Sequence, residues 1–143
     1  METPNLNHSH YDYVGPFHEG FARVKLNGKW GFINEQGEEV VEPKYDQVEG
    51  FHEGFARVII KGKWGLVDSE GKEVVNPKYD YVGYFSEDLA SVKLRDKWGF
   101  VNKKGNEVIK IKYDLVLEFS EGLAVVWLDG KWGLVNKRGK EQF

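Results

Sequence analysis

The sequence contains no cysteine. That absence excludes a disulfide framework, a thiolate zinc site and a cysteine nucleophile together. No apolar run approaches the ~20 residues that a membrane helix needs. The opening METPNLNHSHYDY lacks the basic and then apolar order of a secretory signal. Charge of one sign is missing too: 20 lysines and arginines face 23 aspartates and glutamates, leaving −3. Such a balance gives no field to gather nucleic acid and no polybasic stretch for a membrane surface, so neither is expected as a partner. Walker, HExxH and GxSxG motifs are all lacking. These absences lead us to expect a cytoplasmic protein that is not an enzyme and uses neither cofactor nor metal.

What the sequence has is repetition. NGKWGFINEQGEEVVEPKYD, starting at Asn27, returns as KGKWGLVDSEGKEVVNPKYD, as RDKWGFVNKKGNEVIKIKYD and, cut short, as DGKWGLVNKRGKEQF. Trp30, Trp64, Trp98 and Trp132 are spaced by 34, as are Tyr11, Tyr45, Tyr79 and Tyr113. Internal repeats are read before anything else because they decide the architecture. We divide the chain into a tail, 1–10, and one domain, 11–143, with repeats 11–44, 45–78, 79–112 and 113–143. At 41% hydrophobic and 15% aromatic residues the domain has enough apolar material for a packed core.

Within each unit the texture is β. FARVKL alternates apolar and polar residues with a period of two. KWGFIN is a short aromatic and β-branched run, and EEVVEPKYDQV reads as one longer extended element. Glycine turns at Gly20, Gly28 and Gly37 leave room only for antiparallel hairpins. Asp88 and Asp96 stand where the other repeats place turn glycines, and aspartate tolerates the left-handed backbone better than most side chains. Each repeat is therefore expected to be a three-stranded meander. The fold class is all-β, an open curved array of such meanders, with a closed propeller-like ring as the alternative.

The K-W-G triplet, an aromatic or aliphatic pair, N/D-x-x-G-x-E-V and a trailing P-K-Y-D together resemble the WG-repeat (KWG-repeat) family of bacterial proteins. The match spans residues 11–143. The resemblance implies a β-rich repeat array of variable copy number with no agreed enzymatic activity. The sequence departs from that pattern at Ile111, where earlier copies have Pro43 and Pro77, and at its truncated end.

Repetition also orders the candidate sites. Trp30, Trp64, Trp98 and Trp132, with Tyr11, Tyr45, Tyr79 and Tyr113, are expected to be the structural anchors of each unit, because large buried aromatics stabilise small meanders strongly. The recurring carboxylates Asp12, Asp46, Asp80 and Asp114, with Glu39, Glu73, Glu107 and Glu141, should bind turn amides or the lysines of K-W-G and P-K. Catalysis would need two carboxylates in different environments, and repetition makes environments alike. His8-Ser9-His10 supplies no fixed third ligand for a metal. His18 and His52 read as polar turn residues. Lys103, Lys104, Lys110 and Lys112 give the third repeat a local excess of +2.

A partner-specific site must break the symmetry. In FARVKL, Ala22, Val24 and Leu26 should face the core, with Arg23 and Lys25 outward. The fourth copy puts Val125 and Trp127 at those outward positions. It also has Leu115 and Leu117 where the other copies have Tyr13, Gln47 and Tyr81, and Gly15, Glu49 and Gly83. These four residues are the candidate contact surface. The expected function is a non-catalytic interaction or scaffold module with a protein partner, most simply a homodimer. The alternative is capture of a carbohydrate or small anionic metabolite between repeats. A tail folded over the apolar residues would be a structural explanation of the same pattern.

Overall fold

A computed structural model describes residues 10–143. Apart from His10, the tail and the His8-Ser9-His10 cluster lie outside the described residues. The turns fix the local structure first. Asn27 and Gly28 both have positive φ, 53° and 80°, as the tightest type I′ hairpins require. Asp96 takes φ 68° at the glycine position of the third copy, and Asp88 takes 71° at the other. The aspartates are thus turn residues in the left-handed conformation. The third turn of each unit is closed by a side chain: Asn34 Oδ1 accepts the amides of Gln36 at 3.0 Å and Glu38 at 2.9 Å.

Between these turns run the strands, grouped in four antiparallel sheets. The first contains β1 (Tyr13–His18), β2 (Phe21–Leu26), β3 (Lys29–Asn34) and β4 (Glu39–Tyr45). The second contains β5 (Gln47–Val48), β6 (Phe55–Ile60), β7 (Lys63–Asp68) and β8 (Glu73–Tyr79). The third is β9 (Tyr81–Val82), β10 (Ala90–Leu94), β11 (Lys97–Val101) and β12 (Glu107–Tyr113). The fourth is β13 (Leu115–Val116), β14 (Leu123–Leu128), β15 (Lys131–Asn136) and β16 (Glu141–Gln142). In each sheet sequence neighbours pair in order, and among the described residues no strand pairing joins one sheet to another. The array is open, and the closed ring does not form.

Each sheet has a fourth strand beyond the expected three. EEVVEPKYDQV is not one element: its halves, β4 and β5, belong to different sheets. The chain turns at Asp46. Its amide donates to the Ile59 carbonyl at 2.9 Å, and its Oδ2 accepts the Lys61 amide at 2.7 Å. An aspartate at that place satisfies the next sheet's hairpin and redirects the chain at the same time.

The glycine of K-W-G has a steric reason. Opposite Trp30 and Phe32, β4 bulges through Glu42, Pro43 and Lys44. A methyl on Gly31 would overlap the Val41 carbonyl oxygen, and one on Gly65 that of Val75. Proline fits in the bulge because it has no N–H to offer a ladder.

The core lies between successive sheets. Phe32, Val41 and Tyr45 of the first pack against Val48, Phe51, Ala56, Val58 and Val67 of the second. Leu66, Val75 and Tyr79 meet Val82, Ala90, Val92 and Val101 in the same way. Phe100, Ile109 and Tyr113 close the third junction on Val116, Phe119, Ala124, Val126 and Val135.

Candidate functional site

The recurring polar residues form a latch at each junction. Lys29 Nζ donates to Asp46 Oδ1 at 2.5 Å, Lys63 to Asp80 at 2.7 Å, and Lys97 to Asp114. The lysine hydrogen bond, followed by the turn amide, holds all three aspartates below the usual carboxylate range. A second latch was not foreseen from the sequence. Tyr11 donates to Glu39 at 2.6 Å, and Tyr45 and Tyr113 donate to Glu73 and Glu141. Burial, then the bonded glutamate, pushes these phenols above their ordinary pKa. The signal was present, since tyrosine and glutamate recur with one period. The third pair differs: Glu107 Oε2 accepts the Ile111 amide at 3.3 Å, a donor that proline lacks in the other copies.

The anchor residues divide. Tyr45, Tyr79 and Tyr113 are buried and Tyr11 half-buried, while Trp30, Trp64 and Trp98 pack against the three junction cores from their margins. Trp30, Trp64 and Trp98 are half-buried, and Trp132 is 64% exposed. The register explains this. Tyr13–Lys25–Trp30, Gln47–Ile59–Trp64, Tyr81–Lys93–Trp98 and Leu115–Trp127–Trp132 form equivalent cross-strand rows. Each row lies on the side that the sequence assigned to Lys25, and in the first three sheets that side faces the next sheet, since Phe32, Leu66 and Phe100 on it are buried there. Lys25 sits over Trp30 at 5.4 Å and Lys93 over Trp98 at 5.7 Å, as cation–π pairs.

The four symmetry-breaking residues share one face. Leu115 pairs with Trp127, Val116 with Val126, and the Leu117 amide donates to the Val125 carbonyl at 2.8 Å. Opposed residues point the same way and neighbours alternate, so Leu115, Leu117, Val125 and Trp127 lie together, opposite buried Val116 and Val126. Leu115 is 44% and Leu117 49% exposed.

Leu115 and Leu117 also line a cleft of about 640 Å³ that runs back across the third sheet to Arg57. Arg57 stands in the second copy at the position of Arg23, and three hydrogen bonds hold its guanidinium. Its Nη2 donates to Glu49 Oε1 at 2.5 Å, and Nη1 to the Tyr81 hydroxyl at 2.7 Å and the Val82 carbonyl at 3.3 Å. Its guanidinium lies 4.5 Å from the centre of Tyr84 and 5.2 Å from that of Trp64. Burial lowers its pKa, and the bonds to Tyr81 and Glu49 outweigh that, so the net shift is upward. A smaller cleft of about 440 Å³ lies at the equivalent Arg23. Of the third repeat's lysines, Lys103 pairs with Asp88 at 3.0 Å and Lys112 with Glu141 at 2.9 Å, so its charge excess is partly spent internally.

The family described as WG containing repeat matches residues 9–30, 30–64, 64–98 and 98–132. This chain belongs to that family. The three matches that run from tryptophan to tryptophan each take the end of one sheet and the start of the next, so each of these spans a junction with its latches. No curated protein matches the sequence. Among solved structures, the chain resembles Hsv2 of Kluyveromyces lactis with loop 6CD replaced by a Gly-Ser linker. That likeness has a TM-score of 0.50 and 13% identity, and covers 86% of this chain and 47% of that one. Another Kluyveromyces lactis Hsv2p structure gives TM-score 0.49 and 15% identity over 92% of this chain and 50% of that one. The chain spans about half the length of these two structures. The likeness to the first is one of fold: a propeller-like series of four-stranded sheets.

Proposed function

We propose that this WG-repeat protein is a non-catalytic interaction module whose contact face is the outward side of the fourth sheet, and that it pairs there with a second copy. One observation carries the reading. The strand register gathers exposed Leu115 and Leu117 with half-buried Val125 and Trp127 on one face, where the first and third sheets carry Lys25 and Lys93. A two-fold contact sets a surface against itself, so a charged patch repels its copy and an uncharged apolar patch does not. Tryptophan is among the residues most often dominant in such contacts.

The carboxylates support the non-catalytic half. The junction aspartates are each tied to a lysine and a turn amide, and Glu73 and Glu141 to tyrosines, in matching environments. Such groups latch sheets together. Sedimentation of the wild type and of Leu117→Glu, which buries a charge in the contact, tests the proposal. A wild-type dimer and a folded monomeric variant are expected. A wild type that is monomeric at about 100 μM, a concentration that fills most specific contacts, would refute it.

A further inference from the structure

We propose that the cleft between Arg57 and Leu117 binds a short, neutral oligosaccharide. The cleft shares Leu115 and Leu117 with the fourth-sheet contact, and its remaining walls lie outside that contact. Charge narrows the ligand first. Arg57 stands in the wall, and its positive charge is already met by Glu49 at 2.5 Å. Glu53, Glu87 and Glu118 line the same space, and no lysine does. Glu87 is held by the amides of Glu121 at 2.6 Å and Gly122 at 2.8 Å, with Lys137 at 3.3 Å. An anion entering the cleft meets the carboxylates of Glu53 and Glu118. A cation meets the guanidinium of Arg57. A neutral ligand meets neither repulsion, which disfavours the small anionic metabolite considered from the sequence.

The walls then select the chemistry. Tyr81, Tyr84 and Trp98 offer aromatic surface, and Leu115 and Leu117 an apolar rim. Carboxylates accept hydrogen bonds and cannot donate them, so the partner must bring donors. A pyranose ring has an apolar C–H face for an aromatic platform and a rim of hydroxyl donors. A volume of about 640 Å³ suits a ligand larger than one sugar ring. A nucleoside would also stack, but it offers few donors to a wall rich in carboxylates.

The equivalent cleft at Arg23 lacks these features. Gln47 and Gly50 stand there in place of Tyr81 and Tyr84, its aromatic lining is Phe21, Phe32 and Phe51, whose rings pack on one another at the core, and Glu49 is its one carboxylate. The site is therefore specific to the middle of the array.

Calorimetric titration of the full chain with cellotriose, maltotriose and chitotriose tests this, with trigalacturonate, spermidine and adenosine as competitors of other classes. At least one neutral trisaccharide should bind at one site per chain. Trp98→Leu should weaken it at least about tenfold and Glu118→Gln several-fold, with both variants melting as folded proteins. The proposal falls if no neutral trisaccharide binds at about 10 mM, if neither substitution changes binding, or if only a competitor binds. Neither Trp98 nor Glu118 belongs to the fourth-sheet contact, so failure here leaves that contact standing.

Discussion

Arg23 and Arg57 occupy the same position of consecutive sheets, and their surroundings make them different residues. Arg23 is exposed and has one long hydrogen bond, 3.5 Å, to the Val48 carbonyl. Arg57 has a side chain 17% exposed, three hydrogen bonds and three aromatic neighbours. The change lies in the partners. Glu49, Tyr81 and Tyr84 surround Arg57 where Gly15, Gln47 and Gly50 stand around Arg23. In a repeat protein, a site is made by the residues around the repeated one.

The largest expected effect separates the two arginines. Arg57→Ala leaves Glu49 half-buried without its cation and strips Tyr81 of a donor, and should cost about 2–3 kcal/mol in urea unfolding. Arg23→Ala should stay within about 0.5 kcal/mol. Equal costs would remove the distinction. A graft sharpens it: Gly15→Glu, Gln47→Tyr and Gly50→Tyr together should raise the cost of a later Arg23→Ala by about 1 kcal/mol. At Gly50 there is room, since an added Cβ comes no nearer than 3.8 Å, to His18.

The same lesson separates the junctions. Tyr45 is hydrogen-bonded to Glu73, whereas Tyr79 meets Glu107 only through its charge. A phenol whose folded pKa is raised contributes stability fully present below its unfolded value, about 10, and lost as pH rises through the folded value. Stability should therefore fall above pH 10, by about 0.8 kcal/mol per locked tyrosine half a unit above it. Tyr45→Phe should flatten that loss more than Tyr79→Phe does. The smallest effect belongs to Ile111→Pro, which removes the amide now holding Glu107 and restricts the unfolded chain. A gain of about 0.5 kcal/mol is expected, with a Tyr79–Glu107 bond detectable as stronger alkaline sensitivity.

Steric rules made part of this legible in the sequence. The turns at Asp88 and Asp96 could be read because so few residues accept positive φ. The all-β array of repeats followed from short glycine spacings and the 34-residue period, with its openness left against the closed ring as alternative. That period could not say what surrounds a repeated residue, only that the surroundings recur. Hence the tryptophans were expected as buried anchors, when Trp30, Trp64 and Trp98 sit half-buried at the margins of the junction cores, Trp30 and Trp98 under lysines. The break at Asp46 was hidden because both halves of its segment are extended. Arg57 could not stand out, because the first copy has an arginine at the same position and the telling differences lie at Glu49, Tyr81 and Tyr84.

If repetition builds the array and departure from repetition builds the contact, restoring the repeat should abolish the contact alone. The most direct measurement is sedimentation and melting of a single variant carrying Leu115→Tyr, Leu117→Gly, Val125→Ser and Trp127→Lys, the residues that the third sheet has at those places. It should be a monomer where the wild type is a dimer, and should melt close to the wild-type monomer measured at dilution. A variant that remains dimeric, or one that unfolds because the four residues were needed inside its own chain, would contradict the account.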